Sequence, residues 1–226
     1  MSIPGKITQY QEALAQYGSR LIAVSKTKPK EDLLQAYEIG QRDFGENKVQ
    51  ELVDKAETLP KDIQWHMIGH LQRNKVKYIA PFVTLIHAVD SPRLAAEINK
   101  QALKNNRVID CLLQVHIADE ATKFGFDETE LLEFLGSEAF AQMENIRIMG
   151  LMGMATNTPD MDQVRKEFRS LKTLSGNIAQ QVDSSKVQMK ELSMGMTSDY
   201  VVACEEGSTM VRIGSAIFGA RNYPNP

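Results

Sequence analysis

Short apolar or β-branched runs alternate with longer charged stretches of helical period along nearly the whole chain, the pattern of strands separated by helices. Eight runs read as strands: Leu21–Ser25, Asp43–Glu46, Trp65–Gly69, Leu85–Val89, Cys111–Ile117, Ile146–Met152, Met189–Ser193 and Met210–Ile213. Between them, Glu31–Gly40, Lys48–Glu57, Asn74–Ile79, Pro92–Asn105, Glu128–Leu135, Met161–Val182 and Ser198–Glu206 are predicted helices, with a short closing turn after Ser215. An extra amphipathic helix is expected from about Pro4 to Tyr17. Ser91 followed by Pro92 reads as an N-cap and a first helical residue, and Gly40 as a C-cap.

Strands separated by helices cannot pair as hairpins, so the pattern favours a parallel sheet with helices packed outside it. Eight such units close into a (β/α)8 TIM-type barrel, here with the extra N-terminal helix. The competing architecture is an open doubly wound sheet, but the first strand ends Ser25-Lys26-Thr27-Lys28-Pro29 without the GxGxxG turn of that fold. No linker, repeat or low-complexity segment interrupts the series, so residues 1–226 are expected to form one domain. A 42% hydrophobic, 24% charged composition excludes disorder and coiled coil. The net charge of −3 offers no basic field for nucleic acid, and no apolar run approaches the ~18 residues of a membrane span. The start MSIPGKITQYQEA lacks the apolar stretch of a signal peptide, so a cytoplasmic protein, by default a monomer, is expected. Cys111 and Cys204 then read as reduced structural thiols.

In a barrel, reactive groups belong at the C-terminal ends of the strands. Ile22, Val24 and Lys26 share one strand face, which would aim Lys26 into the mouth from an apolar wall. Desolvation there would lower its pKa and free an amine able to attack an aldehyde; the plainer reading is a solvated strand-end lysine. Lys28 precedes a proline and Lys30 opens a surface helix, which makes both poorer candidates. A second constellation lies after the seventh and eighth runs, where Ser193, Gly195, Gly214 and Ser215 could cradle a phosphate with Arg212 adding a cation nearby. Close helix–strand packing would also select such glycines. An amine and a phosphate cradle facing one mouth suit a ligand with an aldehyde at one end and a phosphate at the other, such as pyridoxal 5′-phosphate or a sugar phosphate.

The segments AVSKTKP (Ala23–Pro29), FGENKVQE (Phe44–Glu51), WHMIGHLQRNK (Trp65–Lys75), GLMGM (Gly150–Met154), ELSMGMTSD (Glu191–Asp199) and GSTMVRIGSAIFGARNY (Gly207–Tyr223) resemble the pyridoxal phosphate homeostasis protein family, which shares the fold of the N-terminal domain of alanine racemase. The resemblance implies that Lys26 carries pyridoxal 5′-phosphate as a Schiff base. It also implies that the Ser193, Met194, Gly195, Thr197 turn and the Gly214, Ser215 turn hold the phosphate, and that Arg212 faces the pyridine nitrogen. Asn47, His66 and Met152 match positions lining that family's pocket. Lys48 stands where the family commonly has tyrosine, and His116 and Phe124 where asparagine and serine are more usual.

An arginine keeps its proton, so one bonded to the ring nitrogen leaves that nitrogen an acceptor and the ring a poorer electron sink. In the alanine racemase family one of the bases that compensate is a tyrosine from a second domain of the partner subunit; the barrel is expected to use this whole chain and leave no residues for such a domain. None of Tyr10, Tyr17, Tyr37, Tyr78, Tyr200 and Tyr223 falls at a predicted strand C-terminus. The expectation is therefore a protein without efficient catalysis of its own that binds the cofactor, takes part in vitamin B6 homeostasis, and carries or releases it to apo enzymes. The rivals are an amino-acid racemase and a Schiff-base aldolase acting on sugar phosphates. His66, His70, His87 and His116 show no metal-ligand spacing, and Ser193, Ser198 and Asp199 lack a nucleophile elbow, so helix capping is expected there. Lys123 and the trio Arg73, Lys75 and Lys77 are basic spots that either meet a free phosphate ligand or solvate a face.

Overall fold

The structure, a computed structural model, describes residues 1–119, 124–182 and 185–220; Lys123 and Tyr223 lie outside the described residues. After helix α1 (Ile3–Ala15), strands and helices alternate: β1 (Arg20–Val24), α2 (Lys30–Glu38), β2 (Asp43–Glu46), α3 (Val49–Thr58), β3 (Gln64–Met67), a 3-10 turn (Arg73–Lys75) running into α4 (Val76–Ile79), β4 (Leu85–Val89) and α5 (Pro92–Lys104). The second half comprises β5 (Ile109–Gln114), α6 (Glu128–Gly136), α7 (Glu138–Ala141), β6 (Ile146–Met152), α8 (Met161–Gln181), β7 (Val187–Ser193), α9 (Tyr200–Glu205), β8 (Met210–Ile213) and α10 (Ser215–Phe218). Each strand pairs in parallel with the next, and β8 returns to β1 with Arg212 opposite Ile22, which closes the barrel. The (β/α)8 expectation and the extra N-terminal helix both hold. No helix among the described residues is long and apolar enough to cross a membrane.

Local chemistry sets several boundaries. Ser2 accepts the Gly5 N–H and Ser91 the Leu94 N–H, and each helix that follows carries a proline in its first turn. Gly40, at φ +94°, donates its N–H to Tyr37 O while Gln41 donates to Ala36 O, which ends α2 in a left-handed turn that glycine adopts without strain. Three elements depart from expectation. β5 stops at Gln114 rather than Ile117, because Gln114 O and His116 N–H bond Phe126 and turn the chain out of the barrel ladder. α7 was not expected; Ser137 closes α6 and caps α7, and Phe140 packs edge-on against Phe134. β7 begins at Val187, ahead of the run read from Met189, because Met189 at φ +42° sits in a register shift that hides the alternation.

The core has two parts. Phe44, Trp65, Phe168 and many aliphatic residues fill the shell between strands and helices. Inside the barrel a small apolar cluster, Ile22, Leu85, Ala88, Leu112, Met152 and Met210, fills part of the cross-section. The register shifts in β4–β5, β5–β6 and β6–β7, and the last of these demands close backbone approach: a Cβ on Gly150 would lie 1.8 Å from Glu191 O. Gly150→Ala should therefore destabilise the fold by at least about 2 kcal/mol in urea denaturation. Gly176→Ala, on the exposed face of α8 with nothing within 4 Å of its missing Cβ, should stabilise it by about 0.5–1 kcal/mol. Similar effects from both would contradict the β6–β7 contact.

Candidate functional site

At the C-terminal ends of the strands lies a cavity of about 190 Å³ lined by Val24, Lys26, Lys28, Asn47, Ile68, Met154, Met196, Thr197, Arg212, Gly214 and Ser215. Lys26 enters it from the turn that follows β1, half-buried. That turn is built tightly. Thr27 has φ +63°, a left-handed conformation that a β-branched residue rarely takes, and its N–H donates to Glu51 Oε1 at 2.6 Å. Beneath it, Lys55 Nζ donates to Ser25 O (2.8 Å), Glu46 Oε1 (2.8 Å) and Glu51 Oε1 (2.7 Å), and Ser25 Oγ donates to Glu46 Oε1 (2.6 Å). The lysine turn is thus clamped to α3 through a buried ion network. Burial raises the Glu46 carboxyl to about 6 against the opposing pull of Lys55.

Arg212, 5% exposed, rises from β8 into the floor of the same cavity. Its Nη1 donates to Ser193 O (2.7 Å) and Ser193 Oγ (2.6 Å), and its Nη2 to Gly153 O (3.2 Å). Burial lowers its pKa to about 10, opposed by the Asp199 carboxylate, so it remains a cation at neutral pH. Three of the five guanidinium N–H groups are used in this way. The other two, on Nη2 and Nε, meet no acceptor among the described residues.

Of the residues singled out from sequence, the cavity brings together Lys26, Asn47, Thr197, Arg212, Gly214 and Ser215. Asn47 reaches the rim because Gly69 has no side chain; a Cβ there would lie 2.6 Å from Asn47 O. His66, Met152, Ser193, Met194 and Gly195 do not line it. Met152 belongs to the apolar cluster inside the barrel, and Met194 is fully buried in the outer core. Gly195 is explained by packing, since a Cβ would come 2.5 Å from the Ala203 Cβ of α9. Ser193 and His66 are buried below the cavity in a line of hydrogen bonds: Ser193 Oγ with His87 Nδ1 (2.8 Å), His87 Nε2 with His66 Nδ1 (2.9 Å), and His66 Nε2 with Asp43 Oδ1 (2.9 Å). Asp199 makes no capping bond to α9. Its φ of −133° and ψ of 5° are not the extended conformation of a capping residue, and its Oδ1 accepts the Met196 N–H instead.

Sequence reasoning also passed over Lys28. It is 8% exposed on the cavity wall, and its Nζ donates to Ala220 O. Lys30, by contrast, pairs with Asp54 at the surface as read. His116 and Phe124 line a neighbouring cavity of about 220 Å³ that shares Met154 and Met196 with the first, while Lys48 is exposed at the start of α3. Among the described residues no group of three or more metal-ligating side chains gathers.

Residues 5–222 match the family described as alanine racemase, N-terminal domain. The pyridoxal phosphate homeostasis protein of Aquifex aeolicus is 41% identical over 206 residues, which are 91% of this chain and 88% of that protein. The chain belongs to the pyridoxal phosphate homeostasis protein family. Among solved structures, PipY of Synechococcus elongatus without pyridoxal phosphate superposes with a TM-score of 0.89 at 34% identity, covering 96% of this chain and all of that one. The same protein with pyridoxal phosphate bound superposes with a TM-score of 0.85 at 33% identity, again over 96% of this chain and 100% of that one. Members of this family thus share the eight-stranded barrel.

The clamp under the lysine turn has a pH signature. Folded Glu46 holds its proton more tightly than the usual value of 4.5, so its contribution to stability is fully present below pH 4.5 and is lost as pH rises through about 6. The loss amounts to about 2 kcal/mol. In urea unfolding between pH 4 and pH 7, Glu46→Gln should remove that decline relative to wild type; parallel profiles would contradict the buried, proton-retaining carboxyl.

Proposed function

We propose that this chain binds pyridoxal 5′-phosphate in the barrel-mouth cavity, holds it through Lys26, and releases it to apo enzymes rather than turning over amino acids. When bound, that cofactor supplies an aldehyde, a phosphate and an acceptor ring nitrogen. Lys26 offers an amine that condenses with the aldehyde, with water as the leaving group. Arg212 offers one of its two remaining N–H donors to the ring nitrogen and, keeping its own proton, would hold that nitrogen as an acceptor. Thr197, Gly214 and Ser215, which line the same cavity, would receive the phosphate. The observation that carries this reading is the joint placement, around one cavity, of the Lys26 amine and a buried guanidinium with two donors left over.

The lining supplies further support. Among the described residues its titratable members are Lys26, Lys28 and Arg212, which suit anion and aldehyde binding. The relatives named for pyridoxal phosphate homeostasis and the pyridoxal phosphate bound in PipY point the same way. Two buried free thiols, Cys111 and Cys204, fit a reducing cytoplasm, where the chain would act as a monomer.

Protein mixed with pyridoxal 5′-phosphate and reduced with borohydride should gain one pyridoxyl group, located on Lys26 by mass spectrometry, and Lys26→Ala should lose both this adduct and the visible absorption band. An adduct on Lys28 in the wild type would contradict the assignment, as would alanine racemisation at about one turnover per second or faster. Arg212→Gln, which removes a charged donor, should raise the dissociation constant of the cofactor about ten- to a hundredfold in fluorescence titration. An unchanged constant would take Arg212 out of the contact.

A further inference from the structure

The hydrogen bonds below the cavity form an unbroken line of five side chains through the barrel interior, from Asp43 at the first position of β2 to Arg212 in β8. His66, His87, Ser193 and Arg212 are all more than nine-tenths buried, and only Asp43, at the far end, is partly exposed. The two ends determine its direction. Arg212 has donors only, so Ser193 Oγ accepts from Nη1; the Asp43 carboxylate accepts only, so His66 Nε2 carries the hydrogen that it receives. With neutral rings, His66 Nδ1 must then accept from His87 Nε2–H, and His87 Nδ1 must accept the Ser193 hydroxyl. Every bond points from the guanidinium to the carboxylate, and each polar atom is satisfied once. A ring doubly protonated at His66 would reverse the bonds toward Ser193 and leave its hydroxyl hydrogen facing the guanidinium. Burial, with the Arg212 and Arg20 cations nearby, holds the His87 pKa well below its ordinary value, in keeping with a neutral ring.

We propose that Asp43, His66 and His87 are positioning residues that act through Ser193 on Arg212: the directional line fixes Ser193 Oγ as an acceptor, ties Nη1 to the barrel wall, and leaves the Nε and second Nη2 donors for an acceptor atom of the ligand in the cavity. The inference rests on the reading that Arg212 meets the ring nitrogen of pyridoxal 5′-phosphate. The line transmits orientation rather than protons, because an arginine gives up no hydrogen and nothing refills the Ser193 hydroxyl. Carboxylate and guanidinium sit at opposite ends, so the charge that orients Arg212 lies four hydrogen bonds from it, on the side away from the ligand.

Nitrogen-15 NMR of histidine-labelled protein without cofactor tests the line by itself: His66 and His87 should both be neutral at pH 7 and protonated on Nε2. A ring carrying its hydrogen on Nδ1, or a doubly protonated ring, would overturn the proposal whether or not the chain binds the cofactor. Asp43→Asn and Ser193→Ala should each shift the His87 ring nitrogens and weaken pyridoxal 5′-phosphate binding about 3- to 30-fold. Asp110→Asn removes a carboxylate that pairs with Arg147 outside the line, and it should leave the His87 signals unchanged and the affinity within about twofold. Asp43→Asn indistinguishable from Asp110→Asn in both readouts would also overturn it. Wild-type protein that shows the two Nε2–H rings but no cofactor binding would sink the reading of Arg212 while leaving the directional line in place.

Discussion

A guanidinium buried in the middle of a barrel is the constraint around which the rest of this site is arranged. Removing an arginine from water costs several kcal/mol unless its donors are satisfied. Here two carbonyls and one hydroxyl satisfy three of them. The hydroxyl belongs to a side chain that needs its own acceptor, and that acceptor is a histidine with the same need. The requirement passes from strand to strand until it reaches Asp43, which is partly solvated and ends it. The interior of this barrel is consequently divided between an apolar cluster around Ile22, Leu112 and Met152 and a polar diagonal in which every ring nitrogen of His66 and His87 has a hydrogen-bond partner.

The adjoining wall of the cup, built on β1 beside β8, is organised by a second charge problem. The turn carrying Lys26 includes a threonine in a left-handed conformation, costly by roughly 1–3 kcal/mol, which persists because Glu51, Lys55 and Glu46 hold the backbone on both sides of the lysine. A tightly held lysine turn and a buried, hydrogen-bonded guanidinium line one cavity, so under the proposed function its reactive and recognising groups are preorganised. Among the described residues the lining offers cations, amides and hydroxyls, the set that the proposed function uses to bind rather than to turn over.

Most of the architecture was legible in the sequence because period-two and period-3.6 hydrophobicity are local signals: the alternation from Leu21 to Ile213, the Ser91–Pro92 cap and the Gly40 stop all act within a few residues. The misread boundaries lie where a local pattern is overridden by pairing at a distance, as at Gln114 with Phe126 and at Met189 in the β7 shift. Lys26, Arg212, Gly214 and Ser215 could be proposed because strand ends in a barrel are predictable positions. Lys28 could not, since the proline beside it predicts a turn but not that the turn packs its side chain inward. Asp43 and His87 left only a faint trace, a histidine and a carboxylate among apolar strand residues; their partners lie 23, 21 and 106 positions away, so only the closed barrel brings them into contact.

As proposed, one small molecule spans from the Lys26 amine to the Arg212 guanidinium. Diffraction from crystals of this protein grown with pyridoxal 5′-phosphate tests it most directly. Continuous density is expected from Lys26 Nζ into the ring, with the ring nitrogen within hydrogen-bond distance of Arg212 and the phosphate against Thr197, Gly214 and Ser215. Density joined to a different lysine, or a phosphate seated on Arg212 with the ring nitrogen turned to solvent, would contradict it.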